Sequence, residues 1–178
     1  MCHFVLAALP VDADVAALDA VAREHGRRLQ PLHHPDLERQ WGAQMRAYVT
    51  TPGHCDCGTV VGSRLRAGAP DWDAEARKLV RKGWSEAKAA RAIAQRREQE
   101  AQPQPVDTLA QWIAFVETMR AQRRVAGFGL MLHPARGALD EPFSICGIRD
   151  VGPDGDLAEI LASMEDDVFY RFAPEKPK

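Results

Sequence analysis

Residues 53 to 58 read Gly53-His54-Cys55-Asp56-Cys57-Gly58, so two thiols, an imidazole and a carboxylate share one short stretch closed at both ends by glycine. Thiolate and imidazole are the usual protein ligands of zinc, and paired thiols exchange disulfides, so metal binding or thiol chemistry is the first expectation. In an extended stretch Cys55 and Cys57 point one way and His54 the other, which makes the two cysteines the natural pair. They are too close in sequence for an unstrained bridge to each other. A closed tetrahedral zinc site therefore needs ligands from elsewhere in the chain. His33 and His34, in a polar connection, join Cys55, Cys57 and His54 as candidate zinc ligands, with Cys2, His3, His133 and Cys146 as further sources. Cys2 is disfavoured if the strands that carry it and lead into the loop run parallel, because it then lies at the opposite end of the sheet.

As a reactive thiol, either cysteine would use His54 as a base and Asp56 to orient it. A carboxylate beside a thiol raises the thiol pKa unless a cation balances it, and no cation stands nearby in sequence. The plain alternative is a tight turn in which small cysteines pack and Asp56 accepts backbone N–H bonds.

The opening Met1-Cys2 before a strand resembles the start of the N-terminal nucleophile amidohydrolases and of the abasic-site-crosslinking family. That resemblance implies a Cys2 nucleophile freed by removal of Met1, with its own α-amino group as base. His3 stands where those families continue with glycine, and their downstream signatures are missing from this chain.

The elements that must position these groups follow from periodicity. Residues 3 to 9 are an apolar run ended by Pro10, and Asp12 or Asp14 then caps a helix with Val15, Leu18 and Val21 on one face, closed by Gly26. Arg27 to Gly42 is polar, contains Pro31 and Pro35, and reads as an irregular connection; Met45 to Thr51 reads as a second strand. Between Asp71 and Arg124 the chain turns helical, with predicted helices near 72–82 and 85–100 separated at Gly83. A third helix follows Asp107, carrying Leu109, Trp112, Ile113, Val116 and Met119 as its apolar stripe. Phe128 to His133 and Phe143 to Arg149 are expected to pair as a hairpin, followed by a helix from Asp156 to Met164 and a strand from Val168 to Phe172. The expected fold is α+β: a mainly antiparallel sheet of ferredoxin-like-related βαβ-ββαβ pattern, with helices on one face. It forms a single domain over 1–178 with an inserted three-helix segment over 70–124.

Composition narrows the class. The chain has 178 residues, room for one good-sized core, and its 46% hydrophobic and 27% charged residues are ordinary globular usage. A net charge of −2 exerts no global pull on nucleic acid or anionic lipid. No signal or membrane-spanning segment is read at the amino terminus, and four cysteines do not make a secreted disulfide scaffold, so a reducing cytoplasm is the expected compartment. Phosphate-binding loops, dinucleotide fingerprints, G-x-S-x-G elbows and H-E-x-x-H pairs do not occur.

The leading expectation is a cytoplasmic protein with a metal or thiol site, zinc being the first ion considered. A rival is a non-catalytic inhibitor or immunity-type module that meets a protein partner through the helical insertion. The corner around Gly83, with basic residues from Arg77 to Arg97, suggests a DNA-binding regulator, although interleaved acids such as Glu75 and Glu86 argue against nucleic acid.

Overall fold

The computed structural model describes residues 2–42, 44–62, 72–101, 107–122 and 127–174. In chain order the elements are β1 (Cys2–Pro10), α1 (Val15–Glu24), β2 (Gln30–Leu32), α2 (Pro35–Trp41), β3 (Met45–Val49), α3 (Trp72–Arg81), α4 (Glu86–Ala101), α5 (Leu109–Ala121), β4 (Phe128–Ala135), β5 (Gly147–Val151), α6 (Leu157–Ala162) and β6 (Val168–Phe172). They form two compact units. Met1–Arg64 with Asp107–Lys178 is the sheet unit, and Leu65–Val106 is a helical unit.

The sheet has six strands in the order β2-β3-β1-β4-β6-β5, antiparallel except for the β5–β6 pair. β1 is an apolar run because it is central and covered on both sides. Its Val5, Ala7 and Leu9 pack in one cluster with Leu18 of α1, Trp112, Phe115, Val116 and Met119 of α5, and Leu161 of α6. Leu6 and Ala8 face a second cluster with Leu37 and Trp41 of α2, Met131 and Phe169. α5 fits its stripe at i, i+3, i+4 and i+7, and starts on a capping box between Thr108 and Gln111.

Several expectations need correction. β2 and α2 lie inside the stretch expected to be irregular, and α2 covers the sheet face that was expected to be bare. The expected hairpin does not form: β4 pairs with β1 and β6, while β5 pairs in parallel with β6, to which it is joined through α6. Phe143 and Ile145 are apolar because they pack against the second cluster from a loop, not because they form a strand. α5 belongs to the core of the sheet unit, so the helical unit holds α3 and α4 rather than three helices. Those two helices are parted at Gly83, whose φ of 88° favours glycine, and Ser85 then opens α4 by accepting from the Lys88 N–H. Met1 lies outside the described residues, and with it the expectation that its removal frees Cys2.

Candidate metal centre

β1 and β3 run antiparallel, with Leu6 opposite Val49 as the last register pair at that end. The chain leaving β3 therefore runs on beside the beginning of β1, and Cys2 shares a sheet end with the cysteine loop. The strands are not parallel, so the condition under which Cys2 would lie at the opposite end does not hold.

The loop then takes over the work of a strand. The Val5 carbonyl accepts from the Thr50 N–H (3.1 Å) and the Thr50 hydroxyl (2.8 Å), and the Val5 N–H donates to Asp56 Oδ2 (2.8 Å). The His3 carbonyl accepts from the Asp56 N–H (2.8 Å), and the His3 N–H donates to Cys57 Sγ (3.1 Å). Every backbone group on that edge of His3 and Val5 is thereby satisfied by residues 50 to 57. Thr59 braces the turn, its N–H and hydroxyl both donating to the Asp56 carbonyl at 2.9 Å. Gly62 is required here, since a Cβ would stand 2.1 Å from the Asp56 carbonyl oxygen.

Asp56 is fully buried and is the anchor. Besides Val5, its carboxylate accepts from the Thr51 hydroxyl and from Arg27 Nη1 at 2.9 Å. Arg27 is itself buried, lies 4.3 Å over the Trp112 ring and donates through Nη2 to Asp107 at 2.9 Å. Burial pushes the Asp56 carboxyl up, and Thr51, the Val5 N–H and Arg27 pull against it. Asp107 is likewise raised by burial and pulled down by Arg27. The balancing cation that no near neighbour provides thus comes from a residue 29 positions away.

Held in this way, Cys2, Cys55 and Cys57 form the one cluster of potential metal ligands found among the described residues, their sulfurs all within 4.8 Å of one another. All three side chains are half-buried. A tetrahedral zinc ion with Zn–S bonds of about 2.3 Å sets sulfurs about 3.8 Å apart, so a contraction of at most about 1 Å completes the fit. Burial pushes the Cys55 thiol up to about 11; the Cys57 N–H lowers it, and the Cys57 and Cys2 thiols add to the rise. Without a cation, Cys55 is therefore a protonated thiol at neutral pH and a poor nucleophile.

The histidines lie elsewhere. His34 is buried and caps α2: its Nδ1 accepts from the Leu37 N–H at 3.0 Å, which leaves Nε2 to donate to the Glu141 carbonyl at 3.0 Å. Neither nitrogen keeps a lone pair for a metal. His33 and His54 are exposed and stand outside the cluster. By strand alternation His3 faces the side of the sheet opposite to Cys2. His133 has Nδ1 on Asp167 at 2.6 Å and its ring stacked on Phe143, and Cys146 is exposed. A cleft of about 420 Å³ lies beside Phe143, but Arg39 there is paired with Asp36, and Gln40 bonds the Phe143 carbonyl and the Ile145 N–H.

The chain is thus an α+β protein with a three-cysteine cluster that can hold a metal ion. Among the described residues no helix is long and apolar enough to cross a membrane. Compared with protein-family models, with curated proteins and with solved structures, the chain finds no match.

Proposed function

We propose that this protein binds a thiophilic metal ion through Cys2, Cys55 and Cys57, with zinc as the leading ion and a reducing cytoplasm as the compartment that keeps the thiols available. The observation that carries this reading is the convergence of three sulfurs within 4.8 Å from two segments far apart in sequence. Soft thiolates select zinc and other thiophilic ions over magnesium and calcium. Two further features suit a ligand set: the His3 N–H points at Cys57 Sγ, and the Cys57 N–H favours the charged form of Cys55, as second-layer donors do around metal-bound sulfur. Zinc held by three protein thiolates takes its fourth ligand from solution.

Zinc titration of the reduced, chelator-treated protein tests the reading. One equivalent should bind, and Cys2→Ser, Cys55→Ser and Cys57→Ser should each weaken it by at least about tenfold, while Cys146→Ser leaves it unchanged. Equal affinity in all four variants contradicts the proposal.

A further inference from the structure

We infer that the same site accepts trivalent arsenic, presented as arsenite, as a three-coordinate ligand. This rests on the reading of Cys2, Cys55 and Cys57 as ligands of one ion, and it goes beyond that reading in naming an occupant the protein can satisfy completely.

The ligand count is the first ground. Three sulfurs converge, and among the described residues no histidine, aspartate or glutamate joins them. The carboxylate nearest in sequence, Asp56, has its oxygens taken by Val5, Thr51 and Arg27, and both nitrogens of His34 are engaged. Zinc in this set must borrow a fourth ligand. Trivalent arsenic forms three bonds in a pyramid and needs no fourth, and the half-buried position of the three cysteines leaves an open side for its lone pair.

Charge is the second ground. Three thiolates around a divalent ion leave a net negative charge, and charge in a half-buried setting is costly unless it is paired. Arg27, behind the loop, is already shared between Asp56 and Asp107. Three thiolates around arsenic(III) give a neutral complex.

The exchange also balances without a base or an electron acceptor. One molecule of arsenous acid reacts with three thiols; three As–O and three S–H bonds break, and three As–S and three O–H bonds form. Three waters leave, and arsenic stays trivalent.

The test is a thiol count on the full reduced chain, which has four cysteines. With one equivalent of arsenite, titratable thiols should fall from four to one, the survivor being the exposed Cys146. The intact mass should rise by one arsenic less three hydrogens. Replacing any one of Cys2, Cys55 or Cys57 by serine turns a three-point attachment into two, and should weaken binding by roughly 100-fold or more. Circular dichroism on each variant confirms that it is folded, and Cys2→Ala provides a second form of the least constrained substitution. Protection of two thiols only, with Cys2→Ser as tight as the parent chain, overturns the inference in favour of a simple dithiol. Zinc uptake with three protected thiols but no arsenite uptake overturns it while leaving the metal-ion reading standing. Failure of both zinc and arsenite to protect any thiol takes down both.

Discussion

Asp56 sits between two of the three sulfur ligands with its own side chain turned into the protein, so its role is to hold Cys55 and Cys57 against the start of β1. Removing it leaves Arg27 buried with one partner, and breaking a buried pair in this way costs about 3–5 kcal/mol. Asp56→Ala should lose stability on that scale in urea unfolding, and should weaken zinc binding by about 10–100-fold. Unchanged affinity in a folded Asp56→Ala variant would show that the anchor does not set the ligand geometry. Cys55 gives a pH prediction. Its thiol is raised from an ordinary 9.0 to about 11, so the folded metal-free chain holds this proton more tightly than the unfolded chain. The associated stability is fully present below pH 9 and lost as pH climbs towards 11. Thermal unfolding of the metal-free protein should fall more steeply over that window than unfolding of Cys55→Ser; parallel curves would contradict the shift. The loop itself was legible in the sequence, including the option that Asp56 accepts backbone N–H bonds. Arg27 was not, because it stands in a polar stretch with no local pattern to mark it as buried, and its partners Asp56 and Asp107 are distant in sequence.

At the scale of elements, one short strand decided which residues meet. The strands read from apolar runs, β1, β3, β4 and β6, and the striped helix α5 all form, with shifts at their ends. β2 leaves no mark in the sequence because its three residues, Pro31 among them, are too few to show a period. Yet β2 has the direction that follows from β1 through the crossover α1, and β3 then returns antiparallel between them. Without β2, β3 would be the strand that follows the α1 crossover and so parallel to β1, the case in which Cys2 lies at the far end of the sheet. α2 was hidden for a related reason: its cap is a histidine, outside the usual Ser, Thr, Asp and Asn set, although Pro35 in its first turn is a familiar start signal. His34→Ala should therefore cost about 1–2 kcal/mol through the lost cap, together with its bond to Glu141, and leave zinc affinity unaltered. A parallel loss of affinity would return His34 to the ligand set.

At the scale of the molecule, the cysteine cluster lies wholly within the sheet unit, close in sequence to where the chain passes into the helical unit. Arg27 bridges Asp56 in the outgoing loop and Asp107, the residue with which the sheet unit resumes. One buried guanidinium thus ties the ligand loop to the point of return and, through Trp112, to the core helix α5. The class of fold could be read from patterning and composition, whereas a site made of residues 2, 55 and 57 depends on strand order, which no local signal carries. The central claim is that these three sulfurs bind one ion together. X-ray absorption at the zinc edge of the loaded protein tests it most directly: the account predicts three sulfur neighbours at about 2.3 Å, falling to two in Cys2→Ser. A shell of two sulfurs or fewer in the parent chain, or one that Cys2→Ser leaves unaltered, would contradict it.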